Sequence, residues 1–424
     1  MKILLDSPFL PTGERAFVTV EDSRITAITA ERPQGPFDRV IEAQGKLLTP
    51  GLVNAHCHSA MTLFRGHGED LPLDRWLTER IFPAEDLLSD RSVYLASKLA
   101  IAEMLAGGVT SFSDMYFFCD ATARAVAESG IKANLSRSIV SFDETADYAA
   151  DSRVLEALSL YNAWNGAEEG RIRIDLSLHA EYTNVASCVR YVAEWAKKLS
   201  ARVQIHLSET EKEHRECLGR HGVTPARFFL DNGLFDVPVV AAHCVYLEAA
   251  DREILATHGA TAVHNPISNL KLGSGVMPLG QTVAAGVSVA LGTDGAASNN
   301  RLDLLREMQT AILLEKGMTG KPEGFTAAEG LALATKNGAL AQGRVDSGRL
   351  EVGCRADLAL FDLTGLHNLP VTAPVTALAY SAMPSDVCLT MVDGRILYEN
   401  GEFTTLDVEK LKQEFSEMRA HYFD

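Results

Sequence analysis

Eight short apolar runs, separated by longer segments of helical spacing, occupy the middle of the chain. They fall at 52–55, 109–112, 132–135, 172–176, 203–205, 238–242, 260–263 and 287–291. A short, nearly continuous apolar run bounded by turn residues reads as a strand buried on both faces, as in a parallel sheet. The segments 92–106, 154–164, 188–199 and 251–258 carry apolar residues at helical intervals. Several of these segments are followed by glycine (Gly107-Gly108, Gly130, Gly259, Gly286), a common helix stop before a strand. Eight βα units within about 300 residues predict a closed (β/α)8 TIM-like barrel rather than an open sheet.

The two ends of the chain read differently. Short β-like runs at 16–20, 24–28 and 39–41 precede the barrel, and a run at 357–361 follows it. The stretches 387–392 and 395–398 flank Asp393-Gly394, a strong hairpin signal. Residues 408–420 have helical spacing. Neither end is long enough to fold well apart. The expectation is one discontinuous β-sandwich domain from 1–50 and 346–424, beside a metal-dependent catalytic barrel spanning 51–345.

Composition narrows the function class. Hydrophobic residues make up 46% and charged residues 22%, an ordinary globular balance that excludes a disordered chain. No apolar run approaches the roughly 18 residues of a membrane span. The stretch 95–109 comes nearest and is broken by Lys98 and Glu103. Residues 1–6 turn acidic too early for a signal peptide, so a cytoplasmic location is the default expectation. The formal net charge of -17 disfavours nucleic acid and anionic membrane as partners. The seven cysteines are scattered without a CxxC pair and read as reduced thiols.

Chemistry in such barrels collects at the carboxyl ends of the strands. The first strand ends in Asn54-Ala55-His56-Cys57-His58, and alternate residues of a strand share a face, so His56 and His58 both point to the barrel axis. Later strand ends carry His179, then His206 with Glu209 three residues on, then His243, His264 and finally Asp294. Imidazoles with one carboxylate suit a borderline divalent ion. The expected ligands are His56, His58, His206 and Asp294, holding one ion per subunit, zinc first and ferrous iron second. His264 reads either as a supporting group or as a core histidine.

These residues sit in longer signatures. Pro50-Gly51-Leu52-Val53-Asn54-Ala55-His56-Cys57-His58 is followed by Met61-Thr62-Leu63-Phe64-Arg65-Gly66, and strand eight ends in Gly292-Thr293-Asp294-Gly295-Ala296-Ala297-Ser298-Asn299-Asn300. With Asp114-Met115-Tyr116-Phe117-Phe118 and His206-Leu207-Ser208-Glu209-Thr210, the chain resembles the amidohydrolase superfamily, in particular its 5-methylthioadenosine/S-adenosylhomocysteine deaminases. The resemblance covers essentially the whole chain.

It implies metal-dependent hydrolytic deamination of a 6-aminopurine nucleoside: S-adenosylhomocysteine, 5′-methylthioadenosine, adenosine or 5′-deoxyadenosine. It implies a mononuclear site, with Glu209 as proton shuttle and with His243 and Asp294 holding and deprotonating the attacking water. His179 resembles the residue that bonds the purine, Glu85 the carboxylate that accepts the ribose hydroxyls, and Trp76 part of the apolar wall. Arg137 and Arg153 match in position the arginines that meet the homocysteine carboxylate. Family habit implies a homo-oligomer. Where the family commonly has proline after the His-Ala pair, this chain has Glu181, which is expected to add negative charge near the substrate rim. Read from the residues alone, Glu85 also suits a helix cap, Trp76 core packing, and the two arginines surface ion pairs. Competing activities are guanine, 8-oxoguanine or cytosine deamination and s-triazine hydrolysis. A catalytically inactive scaffold is a further alternative, against which the full ligand set argues.

Overall fold

The computed structural model describes residues 1–423, leaving aside the side chains at 420, 421 and 423. Four strands form the first sheet: β1 (Lys2–Asp6), β2 (Phe17–Glu21), β3 (Arg24–Thr29) and β4 (Arg39–Glu42), in the order β3-β2-β1-β4. Next comes β5 (Leu47–Pro50). The barrel strands are β6 (Leu52–Cys57), β7 (Val109–Tyr116), β8 (Lys132–Ile139), β9 (Ile172–Ile174), β10 (Leu176–Leu178), β11 (Val203–Leu207), β12 (Val239–His243), β13 (Thr261–His264) and β14 (Ser288–Leu291). They run parallel in the order β14-β13-β12-β11-β10-β8-β7-β6, with β9 paired to β8.

Each of the eight expected runs supplies a barrel stave. The fourth is broken into β9 and β10 at Asp175, a buried carboxylate that accepts from Asn134 Nδ2 at 3.1 Å and Gln204 Nε2 at 3.0 Å inside the barrel. The staves are buried on both faces because helices cover the outside and side chains fill the inside.

The seam between first and last strands is short and specific. The Asp294 N–H donates to the His56 carbonyl at 3.0 Å, and the Thr293 N–H to Asn54 Oδ1 at 3.0 Å. Asn54 Nδ2 donates in turn to Thr293 Oγ1 at 2.8 Å. Gly292 is required here by close approach: a Cβ would stand 2.7 Å from the His56 carbonyl oxygen and 2.5 Å from Asn265 Oδ1.

The chain ends build a second antiparallel sheet from β15 (Leu358–Phe361), β16 (Val387–Val392), β17 (Arg395–Glu399) and β18 (Glu402–Phe403), with β5 at its edge. Ile3, Leu5, Val18 and Val20 of the first sheet pack on Leu48, Leu358, Leu360, Leu389 and Met391 of the second, at the two-residue period of a half-buried strand. The fold is therefore a TIM-like barrel with a small β-sandwich from both ends. The Asp393-Gly394 turn has φ of +47° and +73°, the left-handed pair that a two-residue hairpin demands.

Lys132 ties sandwich to barrel: its Nζ lies 2.6 Å from Asp357 and 2.8 Å from Asp393. The helix Asp90–Ala106 begins on a Ser89 capping box. No helix among the described residues is long and apolar enough to cross a membrane.

Candidate metal centre and active site

The carboxyl ends of β6, β11, β12 and β14 bring four imidazoles and one carboxylate together. Ring centroids of His56 lie 4.9 Å from His58, 5.0 Å from His206 and 5.7 Å from His243. Ligand atoms of His56, His58 and His206 lie within 4.8 Å of one another, and so do those of His56, His243 and Asp294.

Outer hydrogen bonds orient these rings. His58 Nδ1 is 2.5 Å from the Met115 carbonyl, His206 Nδ1 2.8 Å from the His179 carbonyl, and His243 Nδ1 2.9 Å from Asn269 Oδ1. A carbonyl oxygen accepts only, so Nδ1 carries the proton in each ring, and the Nε2 lone pair is left for the centre. Asp294 is held similarly. Ser268 Oγ and Ser298 Oγ donate to its Oδ2 at 2.5 and 2.9 Å, leaving Oδ1 at 3.2 Å from His58 Nε2 and 3.7 Å from His56 Nε2.

The donor set fits a divalent ion on a feature of this chain. His56 is 2% exposed and its Nε2 has no hydrogen-bond partner among the described residues. Such a buried, unpaired nitrogen is costly unless something binds it. Burial pushes His56 and His179 down to about 4 and His206 well below its ordinary value, so these rings are neutral, the form that binds metal. Burial would lower His58 too, but the Asp294 carboxylate carries it up to about 9, so an ion bound between the two must displace the proton on its Nε2.

Backbone strain is present at the same rim. Ser208, His243 and Asp294 have φ of +48°, +73° and +59°, left-handed conformations that cost non-glycine residues about 1–3 kcal/mol each. The turn at Ser208 aims Glu209 inward. Glu213 secures it, accepting from the Ser208 N–H at 3.0 Å and the Glu209 N–H at 2.7 Å. The Glu209 carboxylate accepts from Ser274 Oγ at 3.1 Å and lies 3.8 Å from His243 Nε2, and burial raises its pKa.

A cavity of about 420 Å³ opens from this cluster and is lined by His58, His206, Glu209, His243 and Asp294 at its floor. Trp76, Glu85, Arg137, Arg153 and His179 line it as well. Glu85 takes a hydrogen bond from Tyr116 OH at 2.8 Å, and the helix after it is capped by Ser89 instead. Trp76 is 4% exposed and so both packs and lines. Arg137 is paired to Glu156 at 2.6 Å, and Arg153 donates to the Val140 carbonyl at 3.0 Å.

One expectation changes, and one open alternative is narrowed. Glu181 does not charge the rim: its carboxylate is 1% exposed and turns away from the cavity to Arg220 at 2.6 Å and His221 at 3.0 Å. The Arg220 guanidinium offsets its burial, which proline would not have needed. His264 is a core histidine, buried, pushed down to about 3 and absent from the cavity wall.

Sequence reasoning assigned no role to Asn269, Ser268, Ser298, Ser274, Tyr116 or Glu213. Glu213 carries a local signal. Thr210 and Glu213 have capping-box spacing, and Thr210 Oγ1 accepts from the Glu213 N–H at 3.1 Å. Ser298 bonds Asp294 from four residues away, whereas Asn269, Ser268, Ser274 and Tyr116 act across the fold, where no spacing reveals them.

Residues 47–397 match the sequence profile of the amidohydrolase family. The chain is 42% identical over 401 residues to a 5-methylthioadenosine/S-adenosylhomocysteine deaminase of Acetivibrio thermocellus, covering 94% of this chain and 92% of that one. It is 41% identical to a 5′-deoxyadenosine deaminase of Methanothermobacter thermautotrophicus, covering 99% and 98%. Among solved structures, an adenosine deaminase from Xanthomonas campestris with bound zinc superposes with a TM-score of 0.93 at 32% identity, covering 99% of this chain and 98% of that one. Matched along nearly its whole length in sequence and in fold, the chain belongs to the amidohydrolase family.

Proposed function

We propose that this protein hydrolyses the 6-amino group of a purine nucleoside, giving the hypoxanthine nucleoside and ammonia. One observation carries the reading: Glu85 and the histidine cluster line the same cavity, so a base can lie at one and its ribose hydroxyls at the other. The relatives named as adenine-nucleoside deaminases support it.

His56, His58, His206 and Asp294 would hold one divalent ion per subunit, zinc by preference, which when bound acts as a Lewis acid and lowers the pKa of a water toward neutrality. His179 bonds the purine ring and Trp76 covers its face. Glu209 delivers a proton to N1, which makes C6 electrophilic. Water adds at C6, and Asp294 takes its proton. His243 Nε2, aimed by Asn269, stabilises the oxygen that has been added. The proton taken by Asp294 passes to the exocyclic nitrogen, directly or through Glu209, and ammonia leaves, while the remaining hydroxyl proton returns to Glu209 as the C6 oxygen becomes the carbonyl. Acid–base work of this kind contributes typically 10² to 10⁴-fold, and the fixed charges around C6 supply the rest.

The test is a spectrophotometric screen of 6-aminopurine nucleosides with zinc- and iron-loaded protein. Conversion to hypoxanthine derivatives is expected. Glu209→Gln should keep its metal and lose most turnover. Release of ammonia from guanine or cytosine, or of chloride from an s-triazine, with no nucleoside turned over, would replace this reading by another hydrolase of the family.

A further inference from the structure

We propose that Glu156 sets the specificity of the site at the 5′ end of its substrate, by cancelling the charge of Arg137. The cavity then favours nucleosides with an uncharged 5′ end over those bearing an amino-acid carboxylate. The inference rests on the nucleoside-deaminase reading and narrows its substrate class.

The cavity wall can be followed outward from the histidines. The Tyr116 ring lies 6.0 Å from His58, the Phe117 ring 5.0 Å from Tyr116, and the Arg137 guanidinium 4.9 Å from the Phe117 centroid. Glu85 is bonded to Tyr116 midway along this line. A nucleoside with its base at the histidines and its ribose at Glu85 therefore sends its 5′ substituent toward Phe117, Arg137 and Phe142.

Two guanidinium groups stand at that end, and each already has a carboxylate beside it. Arg137 Nε donates to Glu156 Oε2 at 2.6 Å, its Nη1 donates to the Ser138 carbonyl, and its plane packs on Phe117. Its side chain is only 12% exposed, so packing holds the pair. Glu156 belongs to the helix Ser152–Trp164 and is not itself part of the cavity wall, so it neutralises Arg137 from behind. Arg153 Nη1 is used by the Val140 carbonyl, and Asp151 Oδ2 lies 3.8 Å away. Two carboxylates thus face two guanidiniums.

What the cavity offers a 5′ group is apolar. Phe117 and Val140 line it, and Phe142 is 74% exposed. A methyl or methylthio group gains contact there. A carboxylate gains little attraction and meets the Glu156 charge. A like charge roughly 6 Å away, at a nearly water-like dielectric of about 60, corresponds to about a fivefold effect.

The matched pair for the test is 5′-methylthioadenosine and S-adenosylhomocysteine, which share one thioether nucleoside. kcat/KM for each is measured with wild type, Glu156→Gln and Glu156→Lys, together with inhibition constants of the two hypoxanthine products. Wild type is expected to favour the methylthio substrate. Glu156→Gln should raise the ratio of homocysteinyl to methylthio kcat/KM about fivefold. Glu156→Lys should raise it further, and the ratio of product inhibition constants should move in the same sense. A wild type that favours the homocysteinyl substrate, or a ratio unmoved in both variants, overturns the inference and leaves the deaminase reading standing. A wild type that deaminates neither nucleoside overturns both.

Discussion

The Asp294 N–H donates to the His56 carbonyl at 3.0 Å, while the Asp294 carboxylate stands 3.7 Å from His56 Nε2. The strands that close the barrel are thus joined by backbone where their side chains converge. The contact that closes the barrel therefore also brings two of the proposed ion ligands together. Asp294→Ala is therefore expected to lower metal affinity by more than about 100-fold, since loss of mere supporting groups around a metal already costs 10–100-fold. In the wild-type protein, zinc at 1,000 times its Kd should stabilise the fold by about 4 kcal/mol. Metal analysis after dialysis and thermal unfolding with and without chelator check both. Full metal retention by Asp294→Ala would remove it from the ligand set.

Glu213 holds the turn that aims Glu209 and does not itself line the cavity. It accepts from two successive backbone N–H groups, at 3.0 and 2.7 Å. Glu213→Gln keeps one acceptor and turns an NH2 toward the other N–H, leaving a buried donor unpaired. The expected stability cost is about 1–3 kcal/mol. A misplaced proton donor should lower kcat by about 10- to 100-fold with little change in KM. Metal content should stay at the wild-type level. A kcat unchanged in the folded variant would show that the turn does not depend on Glu213.

These two relationships differ in how far the sequence reveals them. The barrel is legible because each stave is a local apolar run, and a strand buried on both faces needs no partner to be recognised. Lys2–Asp6 and Leu47–Pro50 escape a local reading. The first is five residues at the chain start, and it becomes a strand by pairing with β2 on one side and β4 on the other. The second is completed by β15, some 300 residues on. Histidines at strand ends announce themselves through the two-residue period and the rim rule. The direction of Glu181 does not, because it is set by Arg220 and His221 on a neighbouring helix. Charge at a sequence position gives a side chain's need for a partner, and only the fold gives the partner's place.

Glu85 should make substrate affinity depend on pH. Burial pushes its carboxyl up to about 7, against the lowering effects of the Tyr116 hydroxyl and His58, with Asp86 adding to the rise. Ribose hydroxyls are donors and need the ionised acceptor. An acid of pKa near 7 is mostly carboxylate at pH 8 and mostly protonated at pH 6, so KM for a nucleoside should rise about tenfold as pH falls between them. Glu85→Gln should have a higher KM at pH 8 and lose this part of the slope, while free adenine is insensitive to the substitution. Steady-state KM at four or five pH values, with metal content checked at each, decides it. An identical slope in wild type and Glu85→Gln would take the ribose role from this residue.

Lys132 offers a test at the opposite end of the barrel. Its ammonium, 4% exposed, lies 2.6 Å from Asp357, also 4% exposed, and 2.8 Å from Asp393. Burial alone would raise the Asp357 carboxyl, yet Lys132 holds it below its ordinary value. Asp393 has a second cation, Arg355, at 3.4 Å. Asp357 has only neutral donors besides Lys132, from Ser347 Oγ at 2.8 Å and the Asp393 N–H at 2.9 Å. Lys132→Met therefore leaves one buried carboxylate uncompensated, at an expected cost of about 3–5 kcal/mol. Adding Asp357→Asn removes that charge and keeps most of its hydrogen bonds, so the double variant should regain at least half of the loss. Turnover per folded molecule should be unaffected, because the triad lies where the strands begin and the chemistry where they end. Urea unfolding of the single and double variants measures the difference. A double variant no more stable than Lys132→Met would mean that the cost comes from lost packing between barrel and sandwich rather than from a stranded charge.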